Sequence, residues 1–202
     1  MTPGRGSVLQ ARDTREAILR RAADVASVEG LEGLTIGRLA ADLEMSKAGV
    51  IGHFGTKEEL QLATLDYAAS VFRENVWVPA EDLQPGLPRL LAILDAWTRA
   101  AEAPSFPGGC FIAAASFEWD GREGRVHDAL ATVTGRWRRT LVAEIEIAVA
   151  AGDLPVDTDA EQVAFALEAL ASGTNPARQL QGDTMVAAWS LRAMRAVLGL
   201  PR

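Results

Sequence analysis

Residues 44–60, EMSKAGVIGHFGTKEEL, decide the fold of this chain. Ser46 predicts the start of a short helix that runs to about His53, and Thr56 with Glu59 three residues later predicts a capping box at the next helix. The short helix contains two glycines and two adjacent β-branched residues, and glycine costs about 1 kcal/mol relative to alanine in a helix. Such a weak helix depends on tertiary packing, and the only two lysines of the chain flank it.

Two more helices are predicted before this one. From Asp13 apolar residues recur at helical spacing up to the EGLEG segment (29–33), and Thr35 then caps a short helix that ends near Asp42. Two short helices joined by three or four residues, behind a longer first helix, are typical of a helix-turn-helix, whose second helix enters the major groove of DNA. The sequence therefore predicts an all-α fold with an N-terminal three-helix DNA-binding domain.

The charge of the chain gives no general attraction to DNA. The 202 residues include 20 Lys+Arg and 27 Asp+Glu, which gives a formal net charge of −7. Residues 1–66 hold eight Lys+Arg against ten Asp+Glu, and the remainder holds twelve against seventeen. DNA binding would therefore depend on a local patch, for which Lys47, Lys57 and three capped helix N-termini are the candidates.

The cysteine count and the hydropathy indicate a cellular compartment. The single cysteine, Cys110, cannot form an internal disulfide, as is usual in a reducing cytoplasm. The N-terminal segment lacks the apolar region of a signal peptide, and no apolar run reaches the roughly eighteen residues of a membrane span. We predict a soluble, cytoplasmic protein with no membrane association.

Residues 12–66 resemble the DNA-binding region of the TetR family of bacterial transcriptional regulators. The resemblance is carried by REAILRRAADVASVEGLEGLTIGRLAADLEMSKAGVIGHFGTKEEL. This stretch joins a small-residue stripe in the first helix, a Gly-Leu-Thr entry to the second, Ser-Lys before the third and a final His-Phe-x-x-Lys-Glu-x-Leu. The chain departs from the family at Glu44, where many members have glycine or a small residue, and at Ile51 or Gly52, where many have an aromatic residue.

The resemblance implies a ligand-responsive regulator, usually a repressor, that binds an inverted-repeat operator in double-stranded DNA as a homodimer. It implies phosphate contacts from Thr35, Ser46, Lys47, His53 and Lys57. It implies a recognition surface of Lys47, Ala48, Gly49 and Ile51, with Arg38 of the second helix also facing DNA. Simple helix capping by Thr35 and Ser46, and a packing role for His53, remain alternatives.

The predicted domains are a flexible arm (1–11), a helix-turn-helix domain (12–56) and a helical ligand-binding and dimerisation domain (57–202), with helix 57–76 connecting the last two. Later helices are expected near 87–101, 109–118 and 123–151, from Asp157 or Thr158 to about Ser172, and over 183–198, with a loop over 172–183. The helices near 159–173 and 183–198 carry apolar residues on more than one side. They predict a four-helix interface in a homodimer, or else burial in the core of one monomer.

The aromatic residues of the second part predict an apolar ligand cavity. The segment PGGCF (107–111) favours a helix start beside that cavity. The predicted lining residues are Trp97, Cys110, Phe111, Trp119, Trp137 and Phe165, each of which is also a plausible core position. Few polar groups accompany them, so we expect a small apolar or amphipathic effector.

Three other functions compete with this interpretation. A thiolate at Cys110 with His127 would make an enzyme, and the low basic charge favours a helical protein-interaction module without DNA binding. A metal site would use residues whose spacing matches no strong ligand pattern, namely Glu118, Asp120, Glu123, His127 and Asp128. We predict no enzymatic activity, no cofactor and no metal, while the operator, the effector and the sign of regulation stay open.

Overall fold

The computed structural model describes residues 5–200, with side chains from residue 11 onward. This part of the chain forms nine α-helices and one π-helical turn and contains no strand, which confirms the all-α prediction. Within the same residues no helix is long and apolar enough to cross a membrane. The helices are α1 (Arg5–Gly33), α2 (Ile36–Asp42), α3 (Lys47–Phe54), α4 (Lys57–Phe72), the π-helical turn (Arg73–Trp77), α5 (Leu87–Glu102), α6 (Phe111–Trp119), α7 (Arg125–Ala151), α8 (Ala160–Gln181) and α9 (Val186–Val197).

The first compact unit comprises the residues up to Ala69 together with Phe106–Leu130. Its helices α1 to α4 share one buried cluster. In this cluster Val50 of α3 is fully buried and Phe54 is 9% exposed. These two side chains explain why a helix of weak intrinsic propensity forms here, since burying a side chain of this size contributes about 1.5–3 kcal/mol.

Helix α1 bends at the predicted stop signal and begins earlier than expected. Gly30 has the non-helical angles φ 80° and ψ 160°, and a further helical turn follows it up to Gly33. Residues 5–11, which belong to the predicted flexible arm (1–11), are helical, and the flexibility of the arm stays a prediction. No glycine or proline occurs between residues 7 and 29 to stop the helix, and residues 1–4 lie outside the described part.

The turn between α2 and α3 contains a strained residue. Glu44 has φ 53° and is the only non-glycine residue with positive φ in the described part of the chain. The left-handed conformation costs a residue with a Cβ about 1–2 kcal/mol. The turn therefore has a left-handed backbone at the position where the chain departs from the family pattern.

Helix α4 begins with half of the predicted capping box. Thr56 Oγ1 accepts a hydrogen bond from the Glu59 N–H at 3.1 Å. The reciprocal bond is absent, because the Thr56 N–H donates to the Phe54 carbonyl and the Glu59 carboxylate pairs with Arg125 at 2.7 Å. The start of α4 is therefore predicted correctly, whereas the partner of Glu59 is not.

The second compact unit comprises Ser70–Ser105 and the residues from Ala131 onward. Its core is built from α5, α7, α8 and α9 around fully buried residues such as Leu90, Leu141 and Leu167. The boundary predicted at residue 57, between the helix-turn-helix domain and the ligand-binding domain, stays a prediction. By contacts, residues 106–130 join the N-terminal helices even though the chain places them after α5.

Helix α8 is longer than the sequence suggested. The predicted loop over 172–183 is helical up to Gln181, and Gly182 ends the helix in the left-handed conformation (φ 70°). Pro176 lies inside the helix, where it removes one backbone hydrogen bond. Packing of α8 on α9 and α5 compensates for this local cost.

Candidate nucleic-acid interface

Three helices of the first unit begin with a side-chain cap. Thr35 Oγ1 accepts from the Arg38 N–H at 3.2 Å, and Ser46 Oγ accepts from the Gly49 N–H at 3.0 Å. With Thr56 on α4, these are the three predicted caps, and all three form. The remaining free N–H groups and the helix dipole make such N-termini attractive to phosphate.

Helix α3 presents small and apolar groups outward. While Val50 and Phe54 anchor the helix, Ala48 and Gly52 are exposed and Ile51 is 43% exposed. An exposed face made of small groups allows a helix to approach another surface closely. Apolar groups of this kind can contact thymine methyl groups in the major groove.

The two glycines of α3, Gly49 and Gly52, differ in how much space surrounds them. A Cβ at Gly49 would lie 3.2 Å from Ser46 Oγ, so glycine leaves room for the cap. A Cβ at Gly52 would meet no atom within 4 Å among the described residues. Nothing in this part of the chain therefore requires glycine at position 52, where it costs the helix about 1 kcal/mol relative to alanine.

Lys47 is the uncompensated cation of this surface. Its side chain is exposed and lies over α2, where a Cβ at Gly37 would be 3.4 Å from Cε and 3.7 Å from Nζ. Within the described residues the structure shows no ion pair or hydrogen bond for its ammonium group. Lys47 is therefore available to a phosphate without loss of an internal contact.

Lys57, the second predicted phosphate contact, is already engaged. Its Nζ donates to the backbone carbonyl of Glu32 at 2.7 Å and to the Glu32 carboxylate at 2.9 Å. The hydrogen bond from Lys57 lowers the pKa of the Glu32 carboxyl, and Arg122 lies 3.7 Å from the same group. A phosphate would meet only the third N–H of Lys57, whose charge is already paired with Glu32.

Arg38 is also paired within the unit. It donates to Asp42 at 3.0 Å and to Glu29 at 3.2 Å. Arg21 binds Asp42 as well, at 2.7 Å, and the hydrogen bond from Arg21 is the main cause of the lowered pKa of the Asp42 carboxyl. Arg38 therefore serves the helix-turn-helix as an internal clamp, and its predicted contact with DNA stays a prediction.

His53 lies in the last turn of α3 and is half-buried. Its ring is tilted by 52° against the neighbouring Phe54, with centroids 6.3 Å apart, and Arg15 covers the Phe54 ring at 4.9 Å. This placement fits both alternatives for His53, support for Phe54 and contact with a phosphate.

Comparison with protein-family models gives two matches. Residues 18–64 match the model of bacterial regulatory proteins, tetR family, and residues 86–194 match the model of the tetracyclin repressor-like C-terminal domain. The chain therefore belongs to the TetR family of bacterial regulatory proteins. A comparison with curated proteins finds no match.

Solved structures resemble this TetR-family chain over nearly its whole length. A TetR transcriptional regulator from Chloroflexus aurantiacus J-10-FL is 26% identical, with a TM-score of 0.86 over 94% of this chain and 96% of that one. A TetR-family regulator from Cytophaga hutchinsonii is 21% identical, with a TM-score of 0.82 over 94% and 95%. AibR, solved with isovaleryl coenzyme A and operator DNA, is 20% identical, with a TM-score of 0.72 over 93% and 99%.

The TetR-family regulator does not gather the six predicted effector residues in one unit. Trp97 and Trp137 lie in the second unit, with ring centroids 5.4 Å apart, and Phe72 stacks edge-on against both rings. The Trp137 Nε1 is buried without a hydrogen-bond partner in the described residues. The other set, Cys110, Phe111 and Trp119, belongs to the first unit.

Phe165 lies on the exposed side of α8. It is 60% exposed, because Ala164 and Leu167 occupy the buried positions of this part of α8. Arg138 lies over its ring at 5.9 Å and pairs with Glu168 at 2.6 Å. The predicted contact of Phe165 with an effector stays a prediction.

Helices α8 and α9 leave an apolar surface uncovered, as predicted for the dimer interface. The exposed residues on or next to these helices are Phe165, Leu180, Met185, Trp189 and Val197. Trp189 is half-exposed, while Ala187 and Met194 of the same helix are buried. The pair of helices thus buries one side in the monomer and presents another.

Two of the groups considered for enzyme or metal chemistry, Cys110 and Glu118, lie in surroundings that do not suit it. Burial raises the pKa of the Cys110 thiol, and the N–H groups of Ala113 and Ile112 offset only part of this effect. A protonated thiol at neutral pH is a poor nucleophile. Members of this family are generally transcription factors rather than enzymes. Both Glu118 oxygens accept backbone hydrogen bonds, which removes this carboxylate from the candidate metal set.

Sequence reasoning missed several residues that shape this interface. It did not find the partners of Lys57 and Arg38, namely Glu32 and Asp42, nor the contact of Glu118 with the end of α1. The i, i+4 spacing of Arg38 and Asp42 was a usable signal. The other contacts join residues 25 or more positions apart, and single-sequence periodicity carries no information about them.

Proposed function

We propose that this TetR-family regulator acts in the cytoplasm as a homodimeric repressor that binds an inverted-repeat operator and releases it when a small apolar or amphipathic effector binds. The observation that carries the proposal is the outward face of α3. This face has a capped N-terminus and an exposed Lys47 that forms no ion pair within the described residues. At Gly52 it has no side chain, and the space beside this residue is open. Each feature suits close approach to DNA, and neither the unpaired Lys47 nor the glycine at position 52 improves the stability of the isolated chain.

Phosphate contacts and base contacts divide between different residues of this face. Ser46, Lys47 and the N-terminus of α2 behind Thr35 position the helix on the backbone, a role that carries no sequence information. Ala48 and Ile51 present methyl groups to the base edges. Among the side chains that read base edges by hydrogen bonds, the exposed part of α3 offers Lys47 but no Arg, Asn or Gln. We therefore infer that thymine methyl groups and DNA shape provide much of the sequence preference.

Dimerisation uses the exposed side of α8 and α9. Closing Phe165 and Trp189 against a second copy would bury large aromatic groups that the monomer leaves in water. A two-fold dimer then places two α3 helices on successive major grooves, about 34–36 Å apart. A charged residue at this surface, in the variant Trp189→Glu, should give monomers in sedimentation and weaken operator binding.

The effector is proposed to bind beside Trp97 and Trp137 in the second unit. Both rings are apolar, and the unpaired Trp137 N–H is a donor for an oxygen of the effector. AibR, which shares the fold, was solved with isovaleryl coenzyme A, which supports an acyl group as one candidate class. The effector can shift DNA binding only by its differential affinity for two conformations, typically about 1–3 kcal/mol.

A protein-interaction module remains the second candidate, because Lys57 and Arg38 are neutralised by neighbouring acids. Salt dependence separates the two functions. Operator binding should weaken steeply with salt, by a slope of about 0.9 for each phosphate neutralised. Binding that does not change with salt concentration would favour the protein-interaction module.

The direct test is enrichment of duplexes from a random library by the purified protein. We expect an enriched inverted repeat, and binding should weaken when uracil replaces thymine in each half-site, because uracil lacks the methyl group. Failure to enrich any duplex would contradict the proposed function. An enriched duplex that tolerates uracil everywhere would contradict the thymine-methyl contacts alone.

A further inference from the structure

The turn after the kink in α1 is held from outside the helix-turn-helix. Glu118 of α6 accepts a hydrogen bond from the Leu31 N–H at 2.8 Å through one carboxylate oxygen, and from the Glu32 N–H at 2.9 Å through the other. Because Gly30 is not helical, the turn that follows it starts with N–H groups that have no helical acceptor. The carboxylate therefore caps this turn from 86 residues away in the sequence.

Gly30 is suited to this contact in two ways. Its φ of +80° disfavours any residue with a side chain, and a Cβ at this position would lie 2.8–2.9 Å from three atoms of the Glu118 carboxyl group. Such distances are shorter than van der Waals contact. A side chain at position 30 would therefore displace the carboxylate as well as strain the backbone.

The capped turn leads directly into the DNA-binding helices. Leu31 is 1% exposed, and its carbonyl accepts a hydrogen bond from Gln61 Nε2 at 2.8 Å. Leu34, three residues later, is fully buried in the cluster that also contains Val50 of α3. Any shift of this turn moves the N-cap Thr35 and hence α2, on which α3 packs.

Helix α6 and the loop that precedes it, which together form the α6 segment (106–119), contact α1 on both sides of the kink. Before the kink, the Gly108 N–H donates to Ser27 Oγ at 3.0 Å, and a Cβ at Gly108 would overlap the Ser27 carbonyl. After the kink, Glu118 holds the turn at Leu31. The α6 segment lies within residues 86–194, the part matched by the C-terminal family model, yet by contacts it belongs to the unit of the DNA-binding helices.

We propose that Glu118 is a positioning residue for operator binding: its carboxylate caps the Leu31–Glu32 turn and thereby fixes the orientation of α2 and α3. This inference rests on the proposed function. Specific binding requires the α3 helix at a defined orientation, whereas non-specific binding depends on cations near the phosphates. Loss of the cap should therefore reduce operator affinity more than affinity for unrelated DNA.

The test compares Glu118→Gln with Glu123→Gln. Both variants remove one negative charge, but Glu123 is exposed and makes no hydrogen bond or ion pair shown within the described residues. In E118Q, the amide oxygen can accept from one of the two N–H groups, and the amide NH₂ opposes the other. Using a duplex enriched by the wild-type protein, we expect E118Q to bind at least about tenfold more weakly, since a hydrogen bond to a charged group contributes about 1.5–3 kcal/mol.

Binding of both variants to a scrambled duplex is measured alongside. E118Q should keep its affinity for scrambled DNA, so that its ratio of specific to non-specific affinity falls, while E123Q keeps the wild-type ratio. Circular dichroism at the assay temperature checks that each variant is folded. An unchanged ratio in folded E118Q would overturn the inference and leave the proposed function intact.

Amide hydrogen exchange tests the cap without DNA. In the wild-type protein, we expect slow exchange at Leu31 and Glu32, and in E118Q faster exchange there and along α2. This measurement decides the inference if the variant does not fold or if the wild type enriches no duplex. Wild-type amides at these two positions that exchange as in an unstructured chain would overturn the cap.

Discussion

Lys57 and Glu32 join the first turn of α4 to the end of α1 through two hydrogen bonds, at 2.7 Å to the carbonyl and 2.9 Å to the carboxylate. The ion pair neutralises Lys57, one of the chain's two lysines, which is therefore less available to a phosphate of the DNA backbone. It therefore stabilises the DNA-binding unit and opposes one of its expected contacts with DNA. The consequence can be measured with a single substitution.

Glu32→Gln should tighten operator binding. Without the carboxylate, Lys57 reaches a phosphate at a lower cost, and exposed ion pairs contribute about 0.2–1 kcal/mol, which corresponds to roughly a 1.5- to fivefold gain per subunit. Fluorescence anisotropy with a labelled duplex gives the affinity. Glu16→Gln, which breaks the exposed α1 pair with Arg20, is the charge-matched control, and equal affinity of the two variants would contradict the idea.

Lys47→Ala should weaken binding more than Lys57→Ala. Lys47 gives up no internal contact when it meets a phosphate, whereas the charge of Lys57 is already paired with Glu32. The plot of log affinity against log salt concentration should lose about 0.9 of its slope per subunit in K47A, or about 1.8 for the dimer. A larger loss of slope in K57A would reverse this assignment.

Glu44→Gly should stabilise the chain. The substitution relieves the left-handed strain at φ 53°, and glycine gives back part of the gain through the entropy of the unfolded chain, so the net effect is about 0.5–1 kcal/mol. Urea unfolding measures it. Glu44→Gln removes the same charge and keeps the strain, so equal stability of the two variants would attribute the effect to charge.

Much of the DNA-binding unit follows from local signals. The caps at Thr35 and Ser46, the turn at Glu44 and the buried pair Val50 and Phe54 each depend on residues only a few positions apart, and sequence periodicity records such relations. These signals gave the positions of α2, α3 and the start of α4.

What the sequence did not predict depends on distant partners. In the sequence Glu118 is only a candidate metal ligand, and the fold brings it to the kink at Gly30. Pro176 predicts the end of a helix, yet α8 continues beyond it because tertiary packing stabilises the helix. Phe165 reads as a pocket aromatic, and only the orientation of α8 shows that it faces outward.

Arg89→Ala should destabilise the second unit. The carboxylate of Glu144 is 6% exposed and accepts hydrogen bonds from Arg89 at 3.0 Å and from the Gly86 N–H at 2.7 Å. Removing the Arg89 guanidinium leaves the buried Glu144 carboxylate without its cation and with one hydrogen bond fewer. We expect the free energy of unfolding to fall by about 3–5 kcal/mol.

Tryptophan fluorescence during urea unfolding reports this change, because Trp77, Trp97, Trp137 and Trp189 all lie in the second unit. Arg192→Ala, at an exposed position of α9, is the control. A midpoint for R89A equal to that of the control would show that Glu144 does not depend on its partner.

The reaction of the two lysines with an acetylating reagent tests whether the N-terminal end of α3 binds DNA. Since the chain has only Lys47 and Lys57, mass spectrometry can follow each acetylation rate separately. We expect fast acetylation of exposed Lys47 in the free protein and strong protection of Lys47 by a saturating enriched duplex. If the bound duplex leaves the acetylation rate of Lys47 unchanged, this end of α3 does not contact DNA.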